Sequence, residues 1–125
     1  MDTYATAINC MDGRVQLPVI EYIKAEYGVD FVDKITLPGA NRMLAEGGHE
    51  AELEAVKKRL VISIDIHGSK LIAVAGHHDC AGNPADRETQ TAHTLAAIDL
   101  VRSWYPDLEI IGLWINESWE VERIA

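Results

Sequence analysis

The chain has two cysteines, Cys10 and Cys80, and a histidine, His77, lies three positions before the second of them. Thiolate sulfur and imidazole nitrogen are ligands that zinc accepts in proteins. A set of two cysteines and one histidine leaves one tetrahedral position of zinc free, as in catalytic zinc sites. The three residues therefore predict a metal site that can also bind a reactant. The His-x-x-Cys spacing is a weak signal by itself, since a single buried cysteine is often a small apolar residue.

The segments around these residues predict how they could meet. An apolar segment over Thr3–Asn9 ends directly before Cys10, and another over Lys70–Ala75 ends shortly before His77. Both are typical of β-strands, and the second is almost continuously apolar, as expected for a strand covered on both faces. Ligands bind at the carboxyl ends of the strands in open α/β sheets. We therefore expect the three side chains to converge at that edge.

Strands and helices alternate along the rest of the chain. Helices are predicted over Pro18–Tyr27, from Gly48 to His67 and over Arg87–Trp104, and further strands over Lys34–Leu37 and Glu109–Ile115. In the last helix, Leu95, Ile98 and Val101 are expected to face the core, because they recur at helical spacing. This alternation predicts a three-layer α/β fold, in which helices cover both faces of a mainly parallel sheet of four strands.

The composition limits the class of protein. The 125 residues suit one domain over residues 1–125, and 48% apolar with 25% charged residues is typical of globular proteins. A net charge of −9 argues against a nucleic-acid partner. No segment has the apolar length of a membrane span, and no secretory signal is visible after Met1. We therefore expect a cytoplasmic protein with no membrane partner, whose thiols stay reduced.

Two charged residues follow Cys10 closely, namely Asp12 and Arg14 on either side of Gly13. A guanidinium can hold a carboxylate through charge-assisted hydrogen bonds. Beside the free metal position, such a carboxylate could accept a hydrogen bond from a water molecule on the metal. On an exposed surface the same ion pair would contribute almost nothing to stability. Both interpretations of the pair stay open at this point.

The two motifs together resemble those of the β-class carbonic anhydrases. Cys10–Arg14 has the pattern Cys-x-Asp-Gly-Arg and Gly76–Cys80 has Gly-His-x-x-Cys, where the family usually shows Cys-x-Asp-Ser-Arg and Gly-His-x-x-Cys-Gly. The resemblance covers nearly the whole chain. Leu37–Arg42 is similar to the turn after the family's second strand, and Trp104–Ile115 is similar to its last helix and strand. By the same resemblance, Glu120–Ile124 would form a short antiparallel edge strand.

The resemblance implies a β-carbonic-anhydrase-like zinc lyase. Its zinc ligands would be Cys10, His77 and Cys80, and its catalytic dyad would be Asp12 and Arg14. The implied reaction is the reversible hydration of carbon dioxide to bicarbonate by zinc-bound hydroxide, since zinc lowers the pKa of its bound water. The dyad would orient that water. In one resting form known for the family the dyad aspartate moves onto the zinc, and Asp12 could do the same.

Several positions depart from the family pattern. Gly13 replaces the usual serine, Ala81 replaces the glycine after the second cysteine, and Leu37-Pro38 replaces Arg-Asn. The stretch from Ala81 to the last helix is short. Family members often complete the carbon dioxide pocket with side chains of a neighbouring subunit. The resemblance therefore implies a homodimer or higher homo-oligomer, with carbon dioxide and bicarbonate as small-molecule partners.

Other hypotheses remain open beside this one. His78 could be the ligand instead of His77, although the register of the motif favours His77. A related zinc protein could act on carbonyl sulfide or carbon disulfide, or the chain could be a non-catalytic zinc- or anion-binding module. In the last case an anion would shift thermal stability without turnover. A redox role for Cys10 and Cys80 is less favoured, because they are not a Cys-x-x-Cys pair.

Overall fold

The structure is a computed structural model that describes residues 1–125. Its strands are β1 (Tyr4–Asn9), β2 (Phe31–Thr36), β3 (Leu71–His77), β4 (Glu109–Ile115) and β5 (Val121–Arg123). Its α-helices are α1 (Gly13–Tyr27), α2 (Ala40–Glu46), α3 (Glu50–Val61) and α4 (Arg87–Trp104), and a π-helical turn over Ile62–Ile66 extends α3. Strands and helices therefore alternate as the sequence predicts, except that two helices, α2 and α3, lie between β2 and β3.

The five strands form one sheet in the order β2-β1-β3-β4-β5. The first four strands are parallel, and β5 pairs antiparallel with β4. The predicted mainly parallel sheet with an antiparallel edge strand is thus confirmed. Since β2 and β3 lie on opposite sides of β1, the direction of the strand order changes between β1 and β3. Such a switch point opens a crevice at the carboxyl ends of the two strands, where α/β proteins bind ligands.

Helices cover both faces of the sheet. On one face α1 packs against the sheet through Val15, Val19 and Ile23, all of which are buried. The other face is covered by α2, α3 and α4, whose inward side chains include Leu44, Leu60, Ile98 and Val101. Every residue of the central strand β3 is buried, as its continuous apolar character predicts. None of the helices has the combination of length and apolar character that crossing a membrane requires.

Four details differ from the expectation. The strand β2 spans Phe31–Thr36 instead of Lys34–Leu37, because the pairing with β1 begins at Phe31. The first helix begins at Gly13 rather than Pro18, because the Asp12 side chain accepts a hydrogen bond from the Arg14 amide and caps the helix five residues earlier. The short helix α2 was not predicted, since seven residues after a turn carry too little periodicity. Leu95 is 45% exposed instead of facing the core.

Candidate metal centre

The three predicted ligands converge at the switch point of the sheet. Cys10 directly follows β1, His77 is the last residue of β3, and Cys80 lies three residues later. One ligand atom from each residue lies within 4.8 Å of the other two, and the two sulfur atoms are 3.8 Å apart. All three side chains are buried, with at most 6% of their surface exposed. The geometry brings together residues 70 positions apart, as the parallel pairing of β1 with β3 requires.

The imidazole of His77 is oriented by the backbone. Its Nδ1–H donates to the carbonyl oxygen of His78 at 2.7 Å, whereas its Nε2 is buried without a hydrogen-bond partner. A buried polar atom without a partner is costly, and the lone pair of a neutral imidazole is what a metal ion binds. The His78 side chain is exposed. This arrangement supports His77 rather than His78 as the ligand.

The two thiols perturb each other strongly. The facing Cys80 thiol lowers the pKa of Cys10 well below the value of a free thiol, helped by His77 and opposed by burial. The same contact with Cys10, together with burial, raises the pKa of Cys80. Burial alone would lower the pKa of His77, but the Cys10 thiolate raises it overall. Two adjacent sulfurs ionise together only when a cation balances them, so this donor set fits a cation such as zinc.

Asp12 and Arg14 form an ion pair beside this cluster. Arg14 holds the Asp12 carboxylate through Nη2 at 2.7 Å and Nε at 3.1 Å, and the Arg14 amide donates to the same carboxylate at 2.9 Å. These hydrogen bonds lower the pKa of Asp12 to about 2. The start of α1 adds the favourable field of a helix N-terminus. Asp12 therefore stays an ionised hydrogen-bond acceptor throughout the physiological pH range.

Arg14 itself is held by two residues that sequence reasoning did not connect to it. Its guanidinium donates to the side chain of Asp79 at 3.2 Å and to its carbonyl at 3.0 Å, and it lies 4.4 Å from the ring centroid of Trp119. Asp79 and Trp119 are the two non-glycine residues with left-handed backbone, at φ 56° and 60°. Such strain persists only where surrounding contacts enforce it. Both strained residues thus contribute to the position of Arg14.

The loop after Cys80 packs directly on the turn before α2. A Cβ atom on Gly39 would lie 2.4 Å from the carbonyl oxygen of Gly82, and Gly39 also has a φ of +56°. We expect Gly39→Ala to destabilise the fold by roughly 2–4 kcal/mol, combining left-handed strain with the clash. Gly28→Ala is the matched control, because Gly28 has a φ of +65° and nothing within 4 Å.

Urea unfolding of the two variants measures the difference. The free energy of unfolding of the control, Gly28→Ala, should fall by only about 1–2 kcal/mol, which is the cost of a left-handed backbone for a residue with a Cβ atom. Equal losses in the two variants would show that the contact between Gly39 and Gly82 does not constrain the fold.

A cavity of about 440 Å³ lies beside Cys80. Its lining includes His78, Arg87 and Trp114. The cavity adjoins Cys80, one of the three predicted ligands. No sequence motif predicts this cavity, because its walls come mainly from β4, α4 and the loop that joins β3 to α4.

Comparison with known proteins identifies the class to which this fold and site belong. The fold is that of the β-carbonic anhydrases. The profile of the family described as "Putative carbonic anhydrase" matches residues 1–125, and the chain therefore belongs to that family. No curated protein sequence matches the chain. The resemblance drawn from the two motifs is confirmed.

Several solved structures share the fold at low sequence identity. The carbonic anhydrase of Streptococcus mutans is 18% identical with a TM-score of 0.67, over 100% of this chain and 86% of that chain. A tetrameric β-carbonic anhydrase of Sordaria macrospora is 10% identical with a TM-score of 0.66, over 100% and 82%. A carbon disulfide hydrolase in its apo form is 14% identical with a TM-score of 0.60, over 97% and 78%.

Proposed function

We propose that the chain is a zinc-dependent lyase that catalyses the reversible hydration of carbon dioxide to bicarbonate. One observation carries the proposal: two cysteine sulfurs and an unpartnered histidine nitrogen lie within 4.8 Å of one another beside an Asp–Arg pair. Cys10, His77 and Cys80 would hold the zinc ion. When bound, zinc would supply Lewis-acid chemistry that lowers the pKa of a water molecule and makes hydroxide available near neutral pH.

Asp12 and Arg14 would orient the attacking water. Because Arg14 holds the pKa of Asp12 near 2, the Asp12 carboxylate can accept a hydrogen bond but cannot donate one. A water molecule must then point an O–H toward Asp12, which leaves an oxygen lone pair free for the carbon atom of the substrate. Arg14 prevents the carboxylate from rotating, since three of its nitrogen atoms, Nε, Nη2 and the backbone amide, donate to it.

We further propose that the chain acts as one zinc-binding domain in a cytoplasmic homodimer or higher homo-oligomer. Met11, beside Cys10, is 60% exposed, and Leu17 on α1 is 61% exposed. A second copy of the chain could cover these side chains next to the site. The Sordaria macrospora relative is described as tetrameric, which supports assembly in general. Sedimentation equilibrium tests this part of the proposal, and a monomer at micromolar concentration would contradict it.

A second substrate class is supported by the carbon disulfide hydrolase among the structural relatives. Carbon disulfide and carbonyl sulfide are, like carbon dioxide, linear molecules with an electrophilic carbon atom. The same ligands and the same Asp–Arg pair could serve all three substrates. A non-catalytic zinc or anion module would keep the ligands without turnover.

Elemental analysis combined with stopped-flow assays separates these functions. We expect one zinc ion per chain and hydration of carbon dioxide far above the uncatalysed rate between pH 7 and 9. Turnover of carbon disulfide or carbonyl sulfide with no hydration of carbon dioxide would favour the second class. Full zinc occupancy with none of the three activities would favour a binding module, and a chain that takes up no metal would overturn the proposal.

A further inference from the structure

We propose that Gln16 and Gln90 are positioning residues for the metal centre. The side-chain amide of each glutamine holds one of the two backbone segments that carry the predicted ligands. This inference rests on the metal-binding part of the proposed function. It assigns a role to two uncharged side chains that lie outside both sequence motifs and that do not supply a ligand atom.

Gln90 holds the segment that carries His77 and Cys80. Its side chain is fully buried on α4. The Oε1 atom accepts from the His77 amide at 3.2 Å, and Nε2 donates to the carbonyls of His77 at 2.8 Å, Asn83 at 3.1 Å and Ala85 at 3.3 Å. One amide group therefore ties the beginning of this segment to its end, with Cys80 between them.

The orientation of the Gln90 amide is determined by its surroundings. Three carbonyl oxygens lie around Nε2, and only a hydrogen-bond donor can satisfy them. Oε1, in contrast, faces two donors, the His77 amide and the Nδ2 group of Asn41. The strand leaves room for this contact only because residue 76 is glycine. A Cβ atom on Gly76 would lie 2.8 Å from Gln90 Oε1 and 2.6 Å from Asn41 Nδ2. The absence of a side chain at Gly76 thus allows Gln90 to reach the segment that carries His77 and Cys80.

Gln16 holds the segment that carries Cys10 and Asp12. Its Nε2 donates to the carbonyl oxygens of both residues at 2.8 Å. Its Oε1 accepts from Lys34 Nζ at 2.7 Å and from the side chain of Asn9 at 3.2 Å. A single amide therefore links the first predicted ligand to the dyad aspartate. Because hydrogen-bond donors face Oε1 and carbonyl oxygens face Nε2, the side-chain amide of Gln16 can take only one orientation.

These contacts matter because the ligands come from separate segments. The two segments that carry Cys10 and Cys80 must keep the distance between the two sulfur atoms constant to within a few tenths of an ångström, so that one ion can bind both. Polar groups behind metal ligands typically contribute a factor of about 10–100 to metal affinity. A buried hydrogen bond elsewhere in the fold contributes to global stability but not to the spacing of the ligands. Metal affinity therefore distinguishes a positioning role from a structural one.

Gln16→Glu is the sharpest variant for this test. The substitution keeps the size of the side chain and keeps an oxygen facing Lys34, but it replaces the donor that faces the Cys10 and Asp12 carbonyls. The added negative charge would by itself favour a cation. A fall in cation affinity then cannot be explained by weaker electrostatic attraction of the cation, and titration well above the thiol pKa removes competition from protons.

Two further variants complete the design. Gln90→Met removes the second amide at nearly the same volume. Ser69→Ala is the control: Ser69 is 2% exposed, accepts from Thr6 and donates to the Leu71 carbonyl at the start of β3, far from the ligands.

Co²⁺ titration followed by the sulfur-to-metal charge-transfer band measures the affinity of each variant, and urea unfolding of the metal-free protein measures its stability. We expect Co²⁺ affinity to fall about 10–100-fold in Gln16→Glu and Gln90→Met, and to stay within about 3-fold in Ser69→Ala. A fall in the two glutamine variants no larger than in the control would overturn the inference.

A metal-free measurement keeps the test separate from the proposed function. Alkylation of Cys10 and Cys80 by iodoacetamide in the folded, metal-free protein reports how often each loop opens. We expect Cys10 to react about 10-fold faster in Gln16→Glu and Cys80 about 10-fold faster in Gln90→Met. If the unsubstituted chain binds no metal, the proposed function fails, and the alkylation rates still decide the inference: unchanged rates at both cysteines contradict it.

Discussion

Replacing His77 with alanine is expected to abolish zinc binding, from one ion per chain to less than about 0.1, and with it all hydration activity. In the proposed site the imidazole would supply the only neutral ligand, and its Nε2 is buried without a hydrogen-bond partner. Two sulfur atoms 3.8 Å apart do not suffice to hold zinc against water. Elemental analysis after gel filtration measures the loss directly, and circular dichroism checks that the variant folds.

The neighbouring histidine is the matched control. His78 is exposed, and it contributes to the cluster through its carbonyl oxygen, which alanine retains. His78→Ala should therefore keep one zinc per chain and most of the activity. The opposite outcome, with zinc lost in His78→Ala and kept in His77→Ala, would exchange the roles of the two histidines and would require a rearranged loop.

The second large effect is expected for Asp12→Asn, which should lower kcat/KM for carbon dioxide hydration by roughly 10²–10⁴ while zinc stays bound. Asparagine can still cap α1, so the helix should start at the same residue. It carries no charge to hold Arg14, and its amide group can donate a hydrogen bond that turns the attacking water away from the substrate. Stopped-flow rates normalised to zinc content measure this effect.

The other carboxylate on Arg14 provides the comparison. Asp79 forms an ion pair with the same guanidinium, but its side chain is 72% exposed. Water should therefore screen the attraction by which Asp79 helps to hold Arg14. Asp79→Asn retains the backbone carbonyl that Arg14 also contacts, and it should change kcat/KM by less than about 3-fold. Full activity in a zinc-loaded Asp12→Asn protein would show that Asp12 takes no part in the mechanism, whatever the activity of Asp79→Asn.

Most of the fold could be predicted from local patterns. The last helix and the strand β4 begin and end where their apolar periodicity indicates, over Arg87–Trp104 and Glu109–Ile115. The start of the first helix could not be predicted in the same way, because an aspartate two positions before an arginine indicates an ion pair as readily as a helix cap. The helix over Ala40–Glu46 is too short to show a period, and its apolar residues are buried by packing on α4.

Residue type made Cys10, His77 and Cys80 candidate ligands, because few side chains bind zinc and only two cysteines are present, and the resemblance of the two motifs to a known family implied the complete set. That Cys10 meets His77 and Cys80 depends on the sheet, in which β1 and β3 are neighbours although 61 residues separate the end of β1 from the start of β3. The contacts of Trp119, Gln16 and Gln90, on which their proposed roles rest, depend on tertiary structure alone. Their side chains have no chemistry that marks a site in sequence, and they act through contacts with backbone or with a charge brought close by folding. Sequence determined which groups can react, whereas packing determined the distances at which they are held.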